Sequence, residues 1–187
     1  MKKAFPIALM VLGLVFVGAG GYTMFRGFDA KTQVRDELTA QDITTPEDAS
    51  IPGVLVNSPA TAESMAEIIG HHALDASEGL TYSEMGRFMS TDGSAAGTND
   101  ADAAVKDANG NPVNNPVRNV AFQASALRTS LYTSVMAFNV ADLVVGLGLM
   151  IIVLGIAVGG LGVALGGLAI PALAKKVHVD PLVAHPA

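Results

Sequence analysis

One short stretch of the chain carries metal-ligand character: Glu63, Glu67, His71, His72 and Asp75. On a helix, Glu67, His71 and Asp75 follow one another at one-turn spacing, so three donors share a face. An imidazole between two carboxylates is a donor set for a metal ion. The spacing is not that of the HExxH motif, and Glu, Asp and His are common together on solvated helix faces. His72 falls on the apolar side with Met65, Ile68, Ile69, Ala73 and Ala76, which makes it a core histidine. The expectation is no metal and no other cofactor, with Glu67, His71 and Asp75 retained as the candidates.

DANGNPVNNPVR, from Asp107 to Arg118, offers oxygen donors at Asp107, Asn109 and Asn111. An EF-hand needs glycine at its sixth position and a bidentate glutamate at its twelfth. Pro112 and Arg118 stand there instead, which excludes that loop. There is no GxSxG, no GxxxxGK[ST] and no strand-borne GxGxxG, so neither a nucleophile elbow nor a phosphate loop is present. Cysteine is absent, which removes disulfides, iron–sulfur clusters and thiol catalysis. The chain is expected to be non-catalytic.

The glycines are the other residues with a pattern. LGIAVGGLGVALGG (Leu154–Gly167) has six glycines in fourteen uncharged residues. At about 100° per residue, Gly148, Gly155, Gly159, Gly162 and Gly166 share one helix face. Such a groove lets a second helix approach closely through dispersion and Cα–H···O contacts. Gly146, Gly160 and Gly167 lie off it. The first apolar block, with Gly13 and Gly20, is the nearest occupant. A second copy and a foreign helix are the alternatives.

The elements that must position these residues are two apolar blocks framing an acidic middle. Residues 5–25 are long enough to cross a bilayer as a helix, and their apolar core exceeds that of a cleaved signal peptide, the competing reading. Leu143–Ala174 is 32 residues without a charge. As one helix it measures about 48 Å, against a hydrocarbon core of about 30 Å. Pro171 is its first strong break, so a single span over residues 143–172 is expected. Lys2 and Lys3 flank the first block; Lys175 and Lys176 flank the second. With two spans both pairs lie on one side, which the positive-inside rule makes cytoplasmic. That gives a protein of the cytoplasmic membrane with both termini inside: residues 1–4 and the tail 173–187 cytoplasmic, residues 26–142 outside. The outer segment has seven Lys/Arg against sixteen Asp/Glu, which argues against nucleic acid or anionic lipid as the main partner. The expected partners are the bilayer and other membrane helices.

Within residues 26–142 the signals are helical. FDAKTQVRDELTAQ continues the first span for a few turns. Thr45, Pro46 and Asp48 suggest a capped turn; Ser58 and Pro59 open a helix that Gly79 can end; Thr81 and Glu84 form a capping box for a short helix. Residues 90–115, rich in Gly, Asn, Asp and Ala, read as a flexible excursion. Asn115 and Pro116 then open a helix whose Val117, Val120, Ala124, Leu127, Leu131, Ser134 and Phe138 alternate three and four apart. That seam runs uninterrupted into the second span. Arg26 and Asp142, at the outer ends of the spans, are a candidate interfacial pair. The fold class expected is an all-α membrane protein, with two transmembrane helices flanking a helical extracytoplasmic domain.

VRDELTAQDITTPEDASIPG, HHALDASEGLTYSEM and LRTSLYTSVMAFNVADLVVGLG resemble segments of a group of actinobacterial two-span membrane proteins. Some of these bear the automatic label "aromatic ring-opening dioxygenase LigA". The resemblance implies a two-span membrane protein. A ring-opening dioxygenase holds its iron with two histidines and a carboxylate. Neighbouring His71 and His72 point about 100° apart on a helix, so they are poor co-ligands. The function expected is therefore that of an accessory, assembly or scaffolding subunit of a membrane complex. The alternative is a membrane-anchored sensor or a protein binding a small molecule or metal.

Overall fold

A computed structural model describes the backbone of residues 4–177 and the side chains of residues 4–167. The chain is all-α among these residues, with three helices and isolated bridges instead of strands. Helix α1 is Ala4–Ala40, α2 is Pro59–Ala76 and α3 is Pro116–Val177. Two helices, α1 and α3, are long and apolar enough to cross a membrane. Lys2, Lys3 and the tail from residue 178 lie outside the described residues, as do the side chains of Lys175 and Lys176.

The chain forms two compact units. Among the described residues, one takes in residues 4–30 and 141–177; the other is Lys31–Val140. The first is a pair of helical segments. Its α3 segment passes through Pro171 without the expected break and continues to Val177. A proline removes one backbone donor, and an apolar helix bridges that loss more readily than a new helix start.

The second unit is built around α2. Ser58 caps it by accepting from Thr61 N, while the Thr61 hydroxyl accepts from Ser58 N, and Pro59 opens the first turn. Ser77, fully buried, closes the C-terminus, and Gly79 at φ +84° donates to Leu74 O at 2.7 Å. The core joins Leu38, Val56, Ala62, Ala66, Leu131 and Phe138, with Val34, Ile43, Met65, Ile69 and Val135 packed around them.

Thr45 caps no helix. It is buried, its amide donates to Val54 O, and its hydroxyl accepts from Val54 N, closing a turn over residues 44–55. Buried Ser64 ties that turn to α2, because its Oγ accepts from Ile51 N and from the Ser50 hydroxyl. The Thr81–Glu84 box forms, with Glu84 accepting from Thr81 N at 2.7 Å, yet it opens a turn and not a helix. Gly86, two residues on, is packed so closely on Thr98 that an added Cβ would collide with the Thr98 backbone. The chain must leave for that backbone pairing before a helical turn can propagate.

Residues 90–115 are not structureless. Phe88 pairs with Thr98 and Asn114, Ser90 with Ala104, and Lys106 with Pro112. Asp92, Asp100 and Asp107 accept from amides two residues on, the Asx turns that short polar residues form without a large apolar core. Asp107, the first donor of the calcium-like loop, is occupied by the amides of Asn109 and Asn111.

Asn115 Oδ1 caps α3, accepting from Val117 N and Arg118 N. Within this unit α3 turns inward Ala121, Ala124, Arg128, Leu131, Val135 and Phe138. Val120 and Leu127, members of the seam expected from sequence, are exposed. The spacing is the same, but the phase differs. Ala124, Leu131 and Phe138 belong to both registers, while Arg128 takes the inward position beside Leu127.

Candidate functional site

In the helix pair, the closest contacts run from backbone to backbone. A Cβ on Gly13 would lie 2.6 Å from Gly155 O, and one on Gly155 would lie 2.7 Å from Gly13 O. Gly20 and Gly148 stand in the same reciprocal relation, at 2.6 and 2.7 Å. A Cβ on Gly162 would meet Pro6 O at 2.8 Å, and one on Gly27 would meet Val145 Cγ2 at 2.6 Å. The buried small residues recur every seven positions: Pro6, Gly13, Gly20 and Gly27 on α1, and Ala141, Gly148, Gly155 and Gly162 on α3. As one series ascends the other descends, so the segments run antiparallel with a constant register. The heptad period keeps each small residue facing the partner.

The glycine face on α3 is narrower than its sequence pattern. Gly159 and Gly166 have room for a Cβ at ordinary contact distance, 3.7 Å from Gly13 Cα and 3.5 Å from Met10 Cε. Among the described residues, a Cβ on Gly146, Gly160 or Gly167 would meet nothing within 4 Å. Gly27 was missed by sequence reasoning. The signal was there in the seven-residue spacing from Gly13 and Gly20, but the charged neighbour Arg26 placed it beyond the span. Arg26 itself donates to Asp29 Oδ2 at 3.0 Å, one turn along its own helix. This ion pair lies within α1.

In the other unit, Glu67 and His71 line an open cavity of about 550 Å³ with Asp48, Ser50, Leu74 and Arg128. Asp75 is not part of it. Among the described residues no three His, Asp or Glu side chains are grouped to hold a metal. His72 is not a core histidine. Its side chain is 53% exposed, and its Nε2 lies 2.7 Å from Asp48 Oδ2. An ionised carboxylate only accepts, so Nε2 carries the proton. This hydrogen bond holds the Asp48 carboxyl below the usual aspartate range. A carboxyl with a lowered pKa favours the fold above the ordinary aspartate value, and that contribution disappears as pH falls through the lowered one. His72→Ala is therefore expected to raise the Asp48 titration midpoint, read by carboxyl NMR. Its destabilisation should be present at neutral pH and be lost as pH falls through the lowered Asp48 midpoint. A midpoint that does not move refutes the coupling.

Arg128 lies across α2 at Gly70, where a Cβ would fall 2.8 Å from its Cζ. A second open cavity, of about 360 Å³, is lined by Tyr82, Arg87, Asn114, Asn115, Arg118, Asn119 and Phe122. The Arg118 guanidinium stacks 4.0 Å over the Tyr82 ring, and Tyr82 and Phe122 pack with centroids 5.7 Å apart. Among the described residues, Nε of Arg118 and of Arg128 are enclosed without a hydrogen-bond partner. Sequence reasoning passed over these arginines, since isolated basic residues on a helix resemble any solvated charge.

No protein family, no curated protein and no solved structure matches the chain. Its class rests on its own geometry: an all-α protein with two helices able to cross a membrane, joined in one unit through glycine backbones.

Proposed function

We propose that the chain is a non-catalytic accessory, assembly or scaffolding subunit of a complex in the cytoplasmic membrane. Both termini are cytoplasmic and residues 26–142 lie outside. The carrying observation is the closure of the glycine groove from within the chain, by Gly13 on Gly155 and Gly20 on Gly148. A pair that satisfies its own closest face is a fixed element, and its outward side chains stay available to lipid and to neighbouring helices. Leu14, Met150, Ile156 and Val163 are among these, all exposed. The lysine pairs at the two ends support the orientation.

Purification from native membranes in mild detergent, with mass measured by light scattering, tests this. The expected particle exceeds one 19.1 kDa protomer and contains a second protein in fixed ratio. A lone protomer overturns the accessory role. The alternative, a membrane-anchored binding protein, is favoured by one specific observation, the arginine-lined cavity at the start of α3.

A further inference from the structure

The geometry points to the Arg87–Arg118 cavity as a binding site for an organic oxyanion, a carboxylate or phosphate carried on an aromatic or apolar body. This does not depend on the accessory role. Residues 26–142 hold sixteen acidic residues against seven basic ones, so a basic side chain there has abundant potential partners. Yet among the described residues neither Arg87 nor Arg118 pairs with a carboxylate, and no Asp or Glu lines the cavity. Two arginines without counterions, facing one cavity in an acidic segment, leave a local charge for a ligand to neutralise.

The chemistry of each lining group fits that ligand. Arg118 spends its flat face on Tyr82, which leaves its in-plane N–H donors for hydrogen bonding. Its Nε is enclosed and meets no acceptor among the described residues, so the outer N–H groups of the fork are the ones that receive an oxyanion. Arg87, exposed, lies 5.3 Å from the Phe88 ring centroid. Asn114 and Asn119 add side-chain amide donors. The start of α3 contributes the positive end of its dipole to the same place. Asn115 fixes this end: its amide nitrogen donates to Gly86 O and Ala95 O while its oxygen caps the helix. Tyr82 and Phe122 form the apolar wall, on which a ring or short hydrocarbon can lie. A volume of about 360 Å³ admits a small molecule.

Phenyl phosphate is the test probe, titrated into the full chain in phosphatidylcholine nanodiscs. Inorganic phosphate and phenyltrimethylammonium serve as comparisons. The expected result is saturable movement of the Arg118 Nε–H and the Asn114 and Asn119 side-chain amide signals in the unaltered protein. Affinity should fall about tenfold in Arg87→Gln and in Arg118→Lys, which keeps the charge but loses the planar fork, and hold in Arg128→Gln. Repeating the titration with phosphatidylglycerol in the nanodisc separates two sources of the same chemistry. Competition identifies a lipid headgroup, and undiminished binding identifies a soluble molecule. The absence of any shift in the unaltered protein overturns the site, whatever the variants do. So does equal binding of the cation, or equal affinity in all variants. Inorganic phosphate binding as tightly as phenyl phosphate overturns the apolar part of the site.

Discussion

Replacing Gly155 with alanine is expected to force the helix pair apart, whereas alanine at Gly159, four residues on, is expected to leave it closed. The single Cβ at position 155 would lie 2.7 Å from Gly13 O, 2.8 Å from Val17 N and 2.9 Å from Phe16 Cβ. The first two are backbone atoms of a helix and cannot rotate away, so the relief must come from separation along the segment. Overpacking a tight interface costs about 1–3 kcal/mol, and separation adds the loss of dispersion and Cα–H···O contacts along the helices. Leucine at 155 should exceed alanine. Among the described residues, the nearest atom at 159 is Gly13 Cα at 3.7 Å, an ordinary contact, and at 160 nothing lies within 4 Å.

The chain's lack of cysteine makes a clean readout. A Cβ at position 166 lies 3.7 Å from Pro6 Cβ, within the span of a disulfide. The Pro6→Cys, Gly166→Cys pair should therefore crosslink on oxidation in membranes. Adding Gly155→Leu should abolish most of that crosslinking, Gly148→Leu and Gly162→Leu should act likewise, and Gly160→Leu should not. Equal yields across the series would dismiss the backbone contact.

The contrast between 155 and 159 shows what the sequence makes legible. A sum of 100° steps groups Gly148, Gly155, Gly159, Gly162 and Gly166 on one face, and all five do lie toward α1 or at its margin. Which of them touch backbone depends on where the partner's own small residues stand. That is a property of two segments in register, not of one. The seven-residue recurrence on both segments supplied the register, and reading α3 alone hid it. In the other unit, helix starts were legible because capping is local: Ser58 and Asn115 cap as their types suggest. Thr45 and Thr81 show the limit of the same reasoning. Each makes the local hydrogen bonds of a cap or turn, but tertiary pairing with Val54 and the close approach of Gly86 to Thr98 set the path of the chain beyond them. The pocket arginines were the least legible. Their significance lies in the carboxylates that do not reach them, and a one-dimensional sequence shows which charges exist without showing which ones meet.

Phe138→Ala is expected to be the most damaging substitution in the polar unit, at about 3–5 kcal/mol. The side chain is fully buried in a cluster with Leu38, Val56, Ala62, Ala66 and Leu131. A small domain has a total stability of about 5–15 kcal/mol, so this loss consumes much of it. Hydrogen exchange of the full chain should show protection falling through α2 and the 43–57 segment, which share that core. Phe138 belongs to both possible registers of α3, so by itself it does not distinguish them. Leu127 and Leu131 do. In the register expected from sequence the two leucines are equivalent seam positions. In the structure Leu131 is 6% exposed and Leu127 is 52% exposed. Leu131→Ala should cost about 2–5 kcal/mol, and Leu127→Ala within about 0.5 kcal/mol, since alanine also favours the helix. The inward position next to Leu127 is held by Arg128, which Gly70 admits by having no side chain. Helix α3 thus turns a half-buried arginine inward and leaves a leucine outside. Equal costs at 127 and 131 would restore the leucine seam and take Arg128 off the inward face.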